Sequence, residues 1–147
     1  MPTYTVTNSN FTLNSKQQNN LAEGITKVHN VVTGANTYFA QVIFNKTEKN
    51  NHFMGGKKVK EPSIFLLGQI RAGRPKKTKD KLISDLRDII IKNSKLDQTQ
   101  VWVYIVDLPP SLVLRSSSPH IRHQFAAWIQ GGAAMRRQFH HQDLCYD

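Results

Sequence analysis

Cysteine and long apolar runs are nearly absent from this chain. Cys145 is the only cysteine among 147 residues, so no disulfide can form within one chain. No apolar run approaches the roughly eighteen residues that a membrane-spanning helix needs. The first ten residues also lack the basic and apolar regions of a secretory signal. We therefore expect a cytoplasmic protein with no membrane partner.

Acidic residues are scarce as well. Ten Asp and Glu stand against twenty Lys and Arg, which gives a net charge of +10, and the basic residues concentrate at positions 57–60 and 71–81. Such an excess is typical of proteins that bind nucleic acid or small anions. Aromatic residues do not alternate with the basic runs, which argues against a platform for single-stranded nucleic acid. A non-catalytic basic module that binds nucleic acid or another polyanion is the alternative of a different class.

Recognisable metal and phosphate motifs are missing too. Gly55-Gly56 is followed by lysines without the Gly-Lys-Ser/Thr ending of a phosphate loop. Four histidines near the C-terminal end have no organised cysteine or carboxylate partners; they are His120, His123, His140 and His141. We expect no metal and no cofactor.

The chain does contain a β-α-β pattern, and the first copy spans residues 2–45. Alternating β-prone side chains around Tyr4 predict a short strand, and residues 38–44 predict a second one. Between them Ser15 is a candidate N-cap and Gly34 a candidate C-terminal glycine of a helix. Its apolar residues recur at helical spacing: Leu21, Ala22, Ile25, Val28 and Val32.

The second copy spans residues 63–107, after a polar linker at 46–62. Residues 63–70 predict a strand, residues 72–75 a turn, residues 78–93 approximately a helix, and residues 101–106 the returning strand. The helix again has one apolar stripe: Leu82, Ile83, Leu86, Ile89 and Ile90. Residues 108–147 follow as a tail with a weak pattern, and we expect the whole chain to be one domain.

Two such units predict an α+β sandwich. The connections are long enough for parallel strands, so the units together form a four-stranded sheet with both helices on one face. The other face of that sheet would be exposed in a monomer, and we therefore expect an oligomer.

Pro2 is the residue whose chemistry most clearly suggests a catalytic role. Removal of Met1 would expose a secondary amine, and a free α-amino group titrates near pH ~7.7–8.0. Burial beside guanidinium groups would lower that pKa further, because both effects disfavour the ammonium form. The alternative interpretation is that Pro2 merely follows the initiator residue.

Several segments together resemble a known superfamily. They are residues 1–4 (MPTY), 25–29 (ITKVH), 39–44 (FAQVIF), 53–56 (FMGG), 64–65 (IF), 71–74 (RAGR) and 101–104 (VWVY). In this order, and with proline at position 2, they resemble the tautomerase superfamily, whose members use an amino-terminal proline. Within it the sequence is most similar to the cis-3-chloroacrylic acid dehalogenase group.

The resemblance implies a role for five side chains. Pro2 would be the catalytic amine, Arg71 and Arg74 would bind a substrate carboxylate, and His29 and Tyr104 would polarise or position the substrate. A guanidinium group matches a carboxylate in two hydrogen bonds and stays charged, so two arginines suit a small anionic substrate. The resemblance also implies a homotrimer.

Each assignment has a simpler alternative. Arg71 and Arg74 could be surface residues of a basic turn, and His29 could complement the dipole at the end of its helix. Tyr104 could be an aromatic packing partner across two strands.

One departure from the family pattern separates two activities. Dehalogenases of this group need a carboxylate after the last strand to activate water, and the corresponding position is Arg115. No Asp or Glu lies between Asp107 and Asp143, and a cation cannot accept a proton from water. We therefore expect an isomerase that tautomerises a small enol or α-keto acid, with a cis-3-haloacrylate dehalogenase or hydratase as the alternative.

Overall fold

The computed structural model describes residues 1–109 and 111, which belong to the first of two compact units, residues 1–112. This unit contains six strands and two long helices, and short 3₁₀ turns at Thr37–Phe39 and Gln98–Gln100 precede β2 and β6. In chain order the elements are β1 (Thr3–Ser9), α1 (Ser15–Thr33), β2 (Gln41–Lys46), β3 (Phe53–Met54), β4 (Lys57–Lys58), β5 (Ser63–Arg71), α2 (Lys76–Ser94) and β6 (Val101–Leu108).

Four strands form one mixed sheet in the order β2-β1-β5-β6. Strands β1 and β2 are parallel, as are β5 and β6, and each pair is linked by a helix. The two β-α-β units meet through the antiparallel pairing of β1 with β5, in which Tyr4 lies opposite Gly68. The predicted fold, two β-α-β units in a four-stranded sheet, is confirmed.

The core lies between the sheet and the helix layer. Alternate residues of the central strands point toward the helices, and the apolar stripe of each helix covers them. The fully buried apolar side chains are Tyr4, Val6, Ile64, Leu66 and Ile70 from the sheet, and Leu21, Ile25, Leu82, Leu86 and Ile90 from the helices.

The N-cap of helix α1 lies one residue earlier than predicted. Asn14, not Ser15, is the N-cap, because its side chain accepts a hydrogen bond from the Gln17 backbone N–H while the Gln17 side chain reaches back to the Asn14 backbone. This reciprocal pair satisfies two amide groups that the first helical turn leaves unpaired. Gly34 ends the helix in the left-handed conformation, at φ 70°, as predicted.

Strand β2 begins later than the predicted strand at 38–44 and continues to Lys46. Tyr38 and Phe39 lie in a 3₁₀ turn, since the Asn36 side chain accepts from the Tyr38 backbone N–H and caps that turn. The β-prone character of both aromatic residues is therefore overridden by a local side-chain cap.

The predicted linker contains a hairpin that the sequence analysis did not identify. Strands β3 and β4 pair across Gly55-Gly56, whose φ angles are 57° and 75°. A two-residue hairpin turn of this kind needs positive φ at both central positions, which glycine adopts without steric cost.

The sheet face opposite the helices carries exposed apolar side chains. Ile43, Phe65, Tyr104 and Val106 all lie on it, one or more from three of its four strands. Within residues 1–109, the sheet therefore has the exposed apolar face that the sequence predicts. Neither long helix in the described part of the chain has the length and apolarity to span a membrane.

Candidate active site

The N-terminus lies at the end of the sheet where β5 terminates. Pro2 is buried, and its backbone carbonyl accepts a hydrogen bond from the Gln41 N–H at 3.0 Å. Thr3 pairs with Gln69 in the antiparallel register, so the residues before Thr3 lie beside the last residues of β5. That register brings Pro2 toward the strand end at Arg71, although the two residues are far apart in sequence.

His29 and Tyr4 form a buried pair next to this end of β1. Tyr4 lies two residues after Pro2 on the same strand face, and its hydroxyl is 2.5 Å from His29 Nδ1. The rings meet edge to face, with centroids 5.7 Å apart and planes at 68°. His29 is 1% exposed because it follows Ile25 by four positions and points from the same face of α1 toward the sheet.

Burial keeps His29 uncharged. Desolvation lowers the pKa of His29 to about 4, with smaller contributions from the Arg74 guanidinium and the N-terminal ammonium group. Burial raises the pKa of Tyr4 well above its usual value, and Arg74 opposes that rise only in part. At neutral pH both groups are therefore neutral, and a neutral imidazole does not supply the cation that a helix-dipole role would require.

One nitrogen of His29 has no partner. Within the part of the chain that the structure describes, Nε2 is buried without a hydrogen bond. An unsatisfied buried polar atom costs about 1–3 kcal/mol, and such atoms are rare outside functional sites. His29 is therefore a buried neutral ring in which the hydrogen-bonding capacity of one nitrogen is unused among the described residues.

Arg71 and Arg74 bracket the turn that follows β5. Arg71 is the exposed last residue of the strand, and Arg74 is half-buried. Arg74 Nη1 donates to the Arg71 carbonyl at 2.8 Å, while Gly73 between them has φ 96°, which folds the turn back. Arg74 also acts electrostatically on the buried pair, since its positive charge lowers the pKa of both His29 and Tyr4.

Tyr104 lies on the other face of the sheet. It is 53% exposed and packs against Phe65, with ring centroids 5.0 Å apart. Its strand neighbour is Leu67, four positions before Arg71. Within one chain Tyr104 is therefore a cross-strand packing partner, and it is not gathered with Pro2, His29 and Arg74.

The other charged or metal-ligating residues considered in the sequence do not add to this site. Asp107, at the end of β6, forms an ion pair with Lys79, whose Nζ is 2.8 Å from the carboxylate. Among the residues that the structure describes, no group of three or more His, Cys, Asp or Glu could hold a metal ion. Arg115, Cys145 and the four C-terminal histidines lie outside the described residues.

This geometry can be compared with known proteins. The model of the family described as "Putative oxalocrotonate tautomerase enzyme" matches residues 1–116. The chain belongs to this family. The match covers all described residues, including the buried Pro2 and His29 and the turn with both arginines. The comparison with curated proteins found no match to this chain.

Solved structures show the same fold. The crystal structure of native Ps01740 is 31% identical over 77% of this chain and 99% of its own, with a TM-score of 0.72. N1, a member of the cis-3-chloroacrylic acid dehalogenase family, is 22% identical over 84% of this chain and 90% of its own, with a TM-score of 0.73. A fused 4-OT protein, solved as an asymmetric trimer, is 19% identical over 79% of this chain and 94% of its own, with a TM-score of 0.70.

Tyr4 is the functional candidate that sequence reasoning missed. It was part of the resemblance to the tautomerase superfamily, but no role followed from it. The available signal was its spacing, since residues i and i+2 of a strand share a face and Tyr4 therefore lies on the same side as Pro2. Its contact with His29 joins residues 25 positions apart, and local patterns do not report such a distance.

Proposed function

We propose that this tautomerase-family chain is an isomerase that uses the Pro2 amine as a general base on a small anionic enol or α-keto acid. The observation that carries the proposal is the burial of Pro2 at the strand end that also holds neutral His29 and the Arg74 guanidinium. Removal of Met1 would leave a secondary amine at this place, where burial and the nearby cation disfavour its protonated form.

The residues have distinct parts in this mechanism. Pro2 removes the hydroxyl proton of the enol and returns it to carbon, so that the keto form results without a cofactor. Arg71 and Arg74 bind the carboxylate, whose planar oxygens match the guanidinium donors. Nε2 of His29 is buried and unpartnered in the described structure, and we assign to it the hydrogen bond to the oxygen that changes its charge.

Tyr104 takes part only across an interface between copies. Its side chain is on the outer sheet face, opposite the layer that contains His29. A homotrimer would bring this face against a neighbouring chain, and the fused 4-OT structures described as trimers support that arrangement. We propose the cytoplasm as its location, because the lone cysteine fits a reducing compartment.

A dehalogenase or hydratase of the same superfamily is the second candidate, favoured by the structural likeness to N1. Attack by water needs a base to accept its proton. Asp107 is held in an ion pair by Lys79, and the position expected for the carboxylate carries Arg115. Halide release from a cis-3-haloacrylate, measured beside the tautomerase rate, distinguishes the two activities.

The polyanion-binding alternative has a different signature. Binding through lysines and arginines would weaken steeply with added salt, because counterions are released on association. A fluorescent oligonucleotide titrated at low and physiological ionic strength tests it.

The state of the N-terminus decides the main proposal. Two preparations of the unaltered sequence are compared, one with Met1 removed and one with Met1 retained by inhibition of methionine aminopeptidase, each verified by mass spectrometry. The probe is the enol of phenylpyruvate, whose conversion is followed by its ultraviolet absorbance. Retained Met1 turns the Pro2 nitrogen into an amide without a basic lone pair, so activity should be abolished.

The pH profile and a Pro2 variant complete this test. Activity of the processed chain should rise with pH through one titration below the ordinary α-amino range of about 7.7–8.0. Pro2→Ala leaves a primary amine in nearly the same place and should lower activity without unfolding the chain. Full activity of a folded preparation that retains Met1 would refute the role of Pro2.

A further inference from the structure

The contact between Tyr4 and His29 constrains where the imidazole proton lies. The Tyr4 ring is fully buried, and its hydroxyl approaches His29 Nδ1 at 2.5 Å. Among the described residues, this nitrogen is the one hydrogen-bond partner of that hydroxyl. A buried phenol therefore satisfies its O–H only by donating it to Nδ1, which must then be the unprotonated nitrogen.

The protonation state of the second nitrogen, Nε2, follows from the charge of the ring. A neutral imidazole carries one proton, so when Nδ1 accepts a hydrogen bond the proton is on Nε2. The charged groups that act on this ring are Arg74 from the turn after β5 and, in the chain that retains Met1, the N-terminal ammonium beside β1; both disfavour an imidazolium. Nε2–H is consequently a buried donor, and it is the atom of His29 without a partner in the described structure.

We propose that Tyr4 is a positioning residue that holds His29 as the Nε2–H tautomer, so that this donor is directed to the substrate oxygen. The inference rests on the proposed tautomerase activity and assigns the orientation of one of its groups. Tyr4 itself does not exchange a proton with substrate, because its hydroxyl is occupied by Nδ1 on the far side of the imidazole ring.

The proton balance of the step is simple. Pro2 takes the proton from the enol oxygen, the C–O bond becomes a carbonyl as the C=C bond is lost, and the proton is delivered from Pro2 to carbon. His29 keeps its proton throughout and donates a hydrogen bond to the oxygen while negative charge is present there. The reversed tautomer would present a lone pair to that oxygen and would oppose the reaction.

Nitrogen-15 NMR of histidine-labelled protein tests the tautomer directly, in the full chain and without substrate. At neutral pH we expect His29 Nδ1 to give the signal of an unprotonated ring nitrogen and Nε2 that of a protonated one. Tyr4→Phe removes the donor to Nδ1 and keeps the ring that packs against Gly68. In this variant the His29 signals should shift toward a mixture of tautomers.

The same spectra contain an internal control. His52 Nδ1 lies 3.1 Å from Ser9 Oγ, at the opposite end of β1, so its signals should be the same in both proteins. A His29 with its proton on Nδ1 in the unaltered protein overturns the inference. An unchanged Nε2–H tautomer in Tyr4→Phe overturns it as well. If that variant does not fold, the spectrum of the unaltered chain still decides.

Kinetics connect the tautomer to the reaction. Tyr4→Phe should lower kcat roughly tenfold, less than the loss of a direct oxyanion donor, while KM changes little because the arginines still hold the carboxylate. An unchanged kcat would refute the effect on the reaction. If the processed, unaltered chain shows no tautomerase activity, the proposed function fails, but the tautomer of His29 remains measurable and separates the two failures.

Discussion

At the scale of single residues, His29 links stability to pH. Its pKa in the folded chain is about 4, against 6.5 as the ordinary value. Between these values the unfolded chain binds a proton at this position and the folded chain does not, so stability rises with pH there. The contribution of neutral His29 is complete above pH 6.5 and is lost as the pH falls from 6.5 toward 4.

We therefore expect acid to destabilise the fold through this residue. Integrated over the interval, the free energy of unfolding should fall by about 3 kcal/mol. Urea unfolding at a series of pH values measures it, and His29→Gln should flatten the slope. His52→Gln, which removes a half-buried histidine outside this pair, is the control. A parallel slope in His29→Gln would contradict the assignment.

Arg71 and Arg74 should differ in one measurable respect. Arg71→Ala and Arg74→Ala each remove a charged hydrogen-bond donor, so kcat/KM should fall by roughly ten- to a hundredfold, equivalent to about 1.5–3 kcal/mol. Stability should change little, because neither guanidinium is fully buried. Only Arg74→Ala should raise the pKa of His29, since Arg74 is one of the cations that lower it.

A matched substitution controls for the loss of a positive charge. Arg87 is an exposed residue of α2 that forms an ion pair with its neighbour Asp88. Arg87→Ala should leave both kcat/KM and the His29 titration unchanged. Equal losses in all three variants would mean that overall charge, and not the turn after β5, governs substrate capture.

At the scale of elements, the close approach of β1, β5 and β6 at Gly68 positions Tyr4. Gly68 pairs with Tyr4 on one side and with Ile105 on the other. A Cβ at this position would lie 2.7 Å from Tyr4 Cε1 and 2.6 Å from Ile105 Cδ1. The absence of a side chain at Gly68 therefore leaves the space that the Tyr4 ring occupies where its hydroxyl contacts His29.

Gly68→Ala should consequently destabilise the sheet and displace Tyr4. Overpacking of this kind costs about 1–3 kcal/mol, measurable by urea unfolding, and the His29 nitrogen signals should change with it. Adding Ile105→Val removes the Cδ1 atom and should restore part of the stability. Wild-type stability of Gly68→Ala would show that the three strands separate easily and do not define the position of Tyr4.

At the scale of the whole molecule, one face of the sheet has exposed apolar side chains among the residues that the structure describes. Four apolar side chains are exposed on it, and large contiguous apolar surfaces of this kind usually mark an interface. We expect a homotrimer through this face. Light scattering at micromolar concentration should give three chain masses, and Phe65→Lys, which places a charge in the middle of the face, should give a lower mass.

Val31→Lys provides the matched control. Val31 is also an exposed apolar residue, at 67%, but it belongs to α1 in the helix layer. The trimer should tolerate this charge. A monomer mass for the unaltered chain, or dissociation by Val31→Lys and not by Phe65→Lys, would contradict the assignment of the interface.

Periodicity predicted the elements well, because each apolar stripe reports a face that must be buried. The predicted helix at 78–93 corresponds to Lys76–Ser94, and the strand at 63–70 corresponds to Ser63–Arg71. The errors occurred where a capping side chain or a turn glycine decides the backbone: Asn14 at the start of α1, Asn36 before β2, and the glycine pair of the hairpin. These short-range contacts leave no periodic signal.

The sequence by itself determined the two β-α-β units and a sheet face without helices, because periodicity is a local property. Pro2 was a site candidate through the chemistry of its amine, whereas His29, Arg71 and Arg74 were implied by the resemblance to the tautomerase superfamily. Only the tertiary structure decided that Tyr4 binds His29, that Arg74 acts on the same pair, and that Tyr104 lies on the opposite face. The reason is that each fact depends on contacts between elements distant in sequence: β1 with α1 for the pair, β1 with β5 for the strand end that leads to Arg74, and β5 with β6 for Tyr104.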